Sequence, residues 1–268
     1  MTTREMPSSN AAMTDSLGRE AAMHLDLVWR DLMKSRGSVE TAQFFRLITG
    51  EQHPLGNVAI LREGQDATIL QEAVAPLLAL VNPVAVMFVT GVGDAVSESL
   101  LAQGFSRLEP MPAMAVDMAA LQATKLPEGY EFFRVTSDAD GSAFADVLTA
   151  GFELPRGLAR LLSPEVQDAS TEADSAVQFF AIRRTGKLVA TSMLYLANGL
   201  AGIYCVATLP EERGQGLGAH VTAEALRVAQ RLGYGAGVLQ SSAAGHSVYR
   251  ALGFQDLGAV SMYVKLPS

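Results

Sequence analysis

One stretch limits the possible folds more than any other. From Ile203 to Leu232 the chain reads I-Y-C-V-A-T-L-P-E-E-R-G-Q-G-L-G-A-H-V-T-A-E-A-L-R-V-A-Q-R-L. Ile203 to Ala207 is an apolar run of strand length. Glycines follow at alternate positions, Gly214, Gly216 and Gly218. Leu217, Val221, Ala225, Val228 and Leu232 then recur at helical steps of four, four, three and four. A strand that feeds a glycine-rich loop into a helix start suits an anion. The first helical N–H groups lack intrahelical acceptors and sit at the positive end of the macrodipole. Glycines let a phosphate approach the backbone.

The residues leave several readings of this loop. One is a tight strand-to-helix connection with no ligand. A second is a dinucleotide fingerprint, since Gly214 to Ala219 fits G-x-G-x-x-A. That reading needs an acid about 20 residues on, at the end of the next strand. The strand Val238 to Ser242 has none, and too little chain remains for further βαβ units. A G-x-x-x-x-G-K-[ST] phosphate loop is excluded because no Lys follows the glycines. The third reading is the pyrophosphate loop of an acyl-coenzyme A enzyme.

Arg213-Gly214-Gln215-Gly216-Leu217-Gly218 resembles the [QR]-x-x-G-x-[GA] signature of the GNAT acetyltransferase superfamily. Val206 and Pro210 precede it as that family expects. After the next strand, Ser242, Gly245, Tyr249 and Gly253-Phe254 fall where the family has Asn-x-x-Ala-x-x-x-Tyr-x-x-x-Gly-Phe. The Tyr, Gly and Phe match; Ser242 and Gly245 replace Asn and Ala. The resemblance covers about residues 127 to 268 and is weak before that.

Composition sets the surroundings. The 268 residues are 49% hydrophobic, enough for a large core. The net charge of −8 argues against nucleic acid as the main partner and suits a cationic small molecule. Cys205 is the sole cysteine, so no intramolecular disulfide can form, as in a reducing cytoplasm. Cys205 reads as a small core residue. No charge occurs from Ala73 to Gly93, but Pro76 and Asn82-Pro83 break the run. A helix followed by a buried strand fits better than a membrane span.

Taken in order, residues 1 to 20 read as a flexible tail without signal-peptide features. Ala21 to Arg36 reads as an amphipathic helix. Strands are expected at 43–48 and 57–61, a helix at 68–81, a strand at 84–89, a helix at 95–103 and a strand at 113–118. Thr124 to Gly129 reads as a linker. The second half should have a strand at 130–135 and helices at 139–150, capped by Ser137, and at 157–162. An exposed acidic loop is expected at 163–175, then a hairpin of 177–182 with 188–196. Leu100 to Phe105 lines up with Tyr249 to Phe254, and 112–118 with 260–266. This points to a diverged internal duplication. The expected division is 1–20 tail, 21–122 degenerate GNAT-like domain, 123–129 linker and 130–268 acetyltransferase domain. The fold class is α/β (α+β): two GNAT-like units, each a mixed, mostly antiparallel twisted sheet flanked by helices.

The resemblance implies direct acyl transfer from acetyl-coenzyme A to an amine of a small molecule or peptide. The main chain of Val206, Ala207, Arg213, Gly214, Gln215, Gly216, Leu217 and Gly218, together with Ser242, would hold the donor. Tyr249 falls at the position of the tyrosine that protonates or hydrogen-bonds the leaving sulfur; packing on a short helix is its alternative. The strand before the loop lacks the carboxylate that several members use as base. Glu153, after the first helix of this half, is then the acidic residue expected to meet the acceptor, with a water chain as the alternative. His220 and His246 form no metal-ligand set; His220 reads as a helix-surface residue. No metal, nucleic acid or membrane is implied, and no oligomer is indicated. The competing functions are a non-catalytic acyl-CoA sensor and a structural pair of GNAT-like domains.

Overall fold

The computed structural model describes residues 11–34, 37–167 and 171–267. They divide into two compact units, one of Ala11–Ala113 with residues 256–267 and one of Met114–Gln255.

The first of these opens with α1 (Ala11–Met33). The expected tail is therefore helical from residue 11; residues 1–10 and Arg36 lie outside the described chain. The tail reading missed the i, i+4 pair Leu17 and Ala21, both buried. Gly18 explains part of that burial. A Cβ on it would lie 2.0 Å from the Leu257 carbonyl oxygen. Gly18→Val should therefore destabilise this unit by about 3 kcal/mol, the upper range for overpacking. Urea unfolding read by the Trp29 signal checks this.

The sheet of this unit follows the order β1 (Val39–Glu40), β2 (Phe44–Ile48), β3 (Asn57–Leu61), β4 (Val84–Phe88) and β12 (Gln255–Lys265). The short β5 (Ser106–Arg107) also pairs with β12. Only β3–β4 is parallel. Every residue of both strands is buried, as parallel strands require. The crossover between them is α2 (Ala67–Leu78), which stops three residues before the expected end at Val81. Pro76 sits inside it and leaves the Glu72 carbonyl without a helical donor. Arg46 Nη1 donates to that carbonyl at 3.0 Å and to Ala73 O at 3.3 Å. The core gathers Phe44, Leu61, Leu77, Phe88 and Tyr263, with Phe88 edge-on to Tyr263 at 5.9 Å.

In the second unit the order is β6 (Met111–Asp117), β11 (Ala236–Gln240), β10 (Leu200–Thr208), β9 (Lys187–Ala197), β8 (Val177–Arg184) and β7 (Tyr130–Arg134). The β10–β11 pair is parallel and the pairs from β10 out to β7 are antiparallel. Ser137 caps α4 (Asp138–Phe152) by accepting the Asp140 N–H. Next come α5 (Arg156–Leu161), the crossover α6 (Leu217–Arg231) and α7 (His246–Ala251). The acidic loop after α5 differs from expectation at its start. Ser163 and Pro164 are buried, and Glu165 takes Arg156 at 2.6 Å and Arg160 at 2.6 Å. Two guanidiniums thus draw the loop inward; Asp168 lies outside the described residues.

The two units share one pattern of pairings. An antiparallel pair, a helical crossover and a parallel pair occur as β2–β3–α2–β4 and again as β9–β10–α6–β11. α3 (Asp94–Ala102) and α7 end alike: Phe105 N–H bonds Leu100 O at 3.1 Å, and Phe254 N–H bonds Tyr249 O at 3.1 Å. Gly104 and Gly253, in left-handed backbone at φ 84° and 100°, close the two turns. The last strand departs from chain order. Residues 114–117 of β6, which end the first half of the sequence, belong to the unit of the second half. Nearly all of β12, which ends the second half, belongs to the unit of the first. No helix among the described residues is long and apolar enough to cross a membrane.

Candidate functional site

The site is built where β10 and β11 part. Their register holds at Ala201–Gly237 and Gly202–Val238 and goes no further. Beyond Gly202 no main-chain register pair joins β10 to β11 among the described residues, and the contact that continues is the side-chain bond of Tyr204 with Gln240. On the other edge, the β9 register jumps from Tyr204–Met193 to Ala207–Thr191. Cys205 and Val206 together oppose one residue, Ser192, in a β-bulge. Cys205 takes the left-handed φ of 53°, uncommon outside glycine, and Thr191 Oγ1 donates to its carbonyl at 2.9 Å. The bulge re-aims the main chain of Val206 and Ala207, the two residues expected along a pantetheine arm. The sequence carries no signal for it.

After Thr208 the chain makes a single 3-10 turn, Pro210–Glu212, and enters the glycine loop. Gly214 and Gly216 adopt φ of 78° and 77°. A Cβ on either would meet nothing within 4 Å, so beyond their chain neighbours no described residue crowds these two positions. A Cβ on Gly218 would touch Thr208 and Val206 only at 3.7 and 3.9 Å. The first main-chain bond into the loop is His220 N–H to Gly216 O at 3.0 Å. The N–H groups of residues 214 to 219 reach no main-chain acceptor among the described residues. Gly216 is the N-cap and offers no side-chain cap, and the first turn of α6 holds no acid. This donor set fits a diphosphate.

The side chains around the loop hold it in place. Arg213 donates to Gly151 O at 3.0 Å and Thr208 O at 3.4 Å, tying α4 to the end of β10. Leu217 is buried in the core, so only its N–H can serve a ligand. Gln215 Nε2 donates to Glu212 Oε2 at 3.0 Å. Ser242 Oγ accepts the Gly245 N–H at 3.2 Å in the turn that starts α7.

Tyr249 lies on α7, partly buried, with its ring edge-on to Phe254 at 5.9 Å. A Cβ on Gly245 would come within 2.9 Å of the ring carbon Cε2, so a residue larger than glycine would crowd this ring. The hydroxyl bonds no group among the described residues, and burial pushes the phenol up to about 12. Glu153 closes α4 in left-handed backbone, φ 57°, and is exposed two residues beyond the Gly151 carbonyl that Arg213 holds. Cys205 Sγ points at Leu162 O at 3.7 Å, and burial raises its thiol to about 12, so it stays protonated and unreactive. His220 differs from expectation. It is buried, bonds Thr124 Oγ1 at 2.9 Å through Nδ1, and stands edge-on to Phe132. The apolar stripe of α6 is wider than the sequence pattern suggested, and burial lowers the imidazole pKa. Among the described residues no group of three or more His, Cys, Asp or Glu could hold a metal ion.

The equivalent place in the other unit is closed. There the parallel register runs through four pairs to Leu61–Phe88 and continues as a bridge between Gly64 and Val92. Gly93 N–H bonds Gly64 O at 2.9 Å. A Cβ on Gly64 would lie 2.5 Å from Gly91 O, so this glycine serves close packing. Asp66 caps α2, its carboxylate accepting Thr68 N–H at 2.7 Å and Ile69 N–H at 3.3 Å. A carboxylate of the chain thus fills the helix start that α6 leaves open. Leu100 stands where the other copy has Tyr249.

Comparison with known proteins agrees with this geometry. None of the curated proteins searched matches the chain significantly. Among solved structures it is similar to a GCN5-related N-acetyltransferase from Kribbella flavida, with TM-score 0.66 and 21% identity over 94% of this chain and 95% of that one. A GCN5-related N-acetyltransferase from Sphaerobacter thermophilus gives TM-score 0.59 at 16% identity, over 98% and 96% of the two chains. A GCN5-related N-acetyltransferase-like protein from Streptococcus suis gives 0.52 at 13%, over 92% and 98%. These likenesses establish the fold and span both halves of the chain. The match to the family model described as "Acetyltransferase (GNAT) family" runs from residue 148 to 254, from the body of α4 through Phe254, and this segment is a GNAT acetyltransferase-family domain.

Proposed function

We propose that the protein transfers an acyl group, most simply acetyl, from coenzyme A directly to a primary amine of a small molecule or peptide. The observation that carries this reading is the open, amide-lined cradle at Gly214 to Gly218, set at the end of a strand that has parted from its neighbour. In this reading the diphosphate sits on the loop N–H groups, with the main chain of Arg213 to Gly218 around it. The pantetheine arm pairs with Val206 and Ala207 in place of the missing β11 residues. Ser242 lies beside the start of α7 and still has its hydroxyl proton for the donor. The Tyr249 phenol faces the leaving sulfur and donates a hydrogen bond to it. The amine attacks the thioester carbon; its C–N bond forms as the C–S bond breaks, and the thiolate departs. The amine proton leaves toward the exposed Glu153 or bulk water. The negative protein attracts cationic amines.

Calorimetric titration with acetyl-coenzyme A should give one site per chain, because only one copy of the cleft is open. Two sites, or none, would refute this. A thiol-release assay over a panel of amines then tests turnover. One observation favours a non-catalytic acyl-CoA sensor: β10 carries no carboxylate to act as base. Binding without thiol release for any amine would select that reading.

A further inference from the structure

Two carboxylates, Glu211 and Glu212, stand immediately before the proposed diphosphate cradle. Unmasked, they would repel a diphosphate over that distance. The β7–β8–β9 edge masks both. Lys187 Nζ, at the start of β9, lies 3.2 Å from Glu211 Oε1. Glu212 is largely covered, its side chain 13% exposed. Its Oε2 lies 2.5 Å from the Tyr130 hydroxyl, and its Oε1 is 3.5 Å from Arg184 Nη1. Arg184 also donates to Tyr130 Oη at 3.2 Å and stacks over the Tyr130 ring at 5.1 Å. Tyr130 and Arg184 are registered partners across β7 and β8, so the sheet sets this arrangement. Tyr130 Oη is also 2.7 Å from Gln215 Oε1, and Gln215 is the residue between the two left-handed glycines. The phenol has one proton to give. It goes to the charged Glu212 at the shorter distance, which holds that carboxyl below its usual range and pushes the phenol above its own.

We propose that Tyr130 is a positioning residue for the acyl-CoA loop: it turns the Glu212 carboxylate into the sheet edge, where Glu212 Oε2 also accepts Gln215 Nε2 at 3.0 Å and so fixes the main chain of the cradle. Arg184 completes the mask by balancing the charge of Glu212. The inference rests on the acyl-CoA reading of the loop and adds residues outside the GNAT-like signature to donor recognition.

The test compares Tyr130→Phe with the unmodified protein. The dissociation constant for acetyl-coenzyme A, by calorimetry, should rise about tenfold, the loss expected for one hydrogen bond to a charged group. With an amine from the panel, KM for acetyl-coenzyme A should rise in parallel while kcat stays within twofold. The rate with a small acetyl thioester that lacks the nucleotide should not change. Arg184→Ala should weaken binding more at low salt than at high salt, and Glu212→Gln in the same chain should restore most of the loss. Equal affinity of Tyr130→Phe and the unmodified protein overturns the proposal. So does an equal fall in rate with both thioesters, which would indicate general damage. If the unmodified protein fails to bind acetyl-coenzyme A, the acyl-CoA reading itself falls, and that result is distinct from either of the others.

Discussion

Gly216→Glu should abolish detectable acetyl-coenzyme A binding, at least a hundredfold loss, and leave the protein folded. Two effects act together. Gly216 sits at φ 77°, where a side chain costs about 1–2 kcal/mol in strain. The larger effect is electrostatic. The new side chain enters the space that is open above the loop, and its carboxylate occupies the place of the phosphates. An unpaired carboxylate about 4 Å from one phosphate charge costs about 4 kcal/mol at an effective dielectric near 20. Gly216→Ala is the control. It carries the strain without the charge and should weaken binding about tenfold or less. Calorimetry measures both variants, and thermal unfolding checks that the glutamate variant still folds. If the glutamate variant binds as tightly as the parent, the diphosphate is not held here.

Tyr249→Phe should lower kcat about a hundredfold, the usual loss for one donor aimed at developing charge, with the affinity for acetyl-coenzyme A within twofold. The ring contacts with Phe254 and Gly245 survive the change, so packing is kept and only the hydroxyl is removed. The phenol, raised to about 12 by burial, keeps its proton at every pH below that. Full transfer to a thiolate near 8.5 would therefore be uphill by roughly 5 kcal/mol. In the proposed mechanism the phenol therefore serves as a hydrogen-bond donor to the departing sulfur, and the thiolate takes its proton later from water. It follows that the rate should rise with pH as the acceptor amine loses its proton. It should then stay level to about pH 10, with no alkaline decline from Tyr249. A decline near pH 9, or equal losses in kcat and affinity for Tyr249→Phe, would count against this role.

Much of the site could be read in advance because it depends on main chain and glycine. Gly214, Gly216 and the helical period from Leu217 give the loop, its direction and its open amides. Tyr249 and Gly253-Phe254 give the capped helix. Other features depend on pairing, which a single sequence does not display. The bulge at Cys205–Val206 is a matter of register between β9 and β10, and nothing in I-Y-C-V-A announces it. The parting of β10 from β11 is similar; the strands of the closed copy are equally apolar, and nothing in their composition marks them as the pair that stays joined. The close approach of Gly64 to Gly91 is likewise invisible in the sequence. The mask around Glu212 was missed because its parts, at 130, 184 and 212, lie far apart in sequence. Local patterning reached the elements themselves in nearly every case. It failed at Leu17 and Gly18, where small and polar neighbours hid the buried face of α1.

The exchange of final strands bears on how such a protein can change over evolutionary time. Neither half of the sequence supplies every strand of a single sheet, so the copies cannot be shuffled, lost or traded like beads on a string. A mutation in β12, at the very end of the chain, is paid for in the part that comes first. The closed copy therefore persists even with its cleft shut: residues 114–117 of its final strand belong to the unit that carries the open loop.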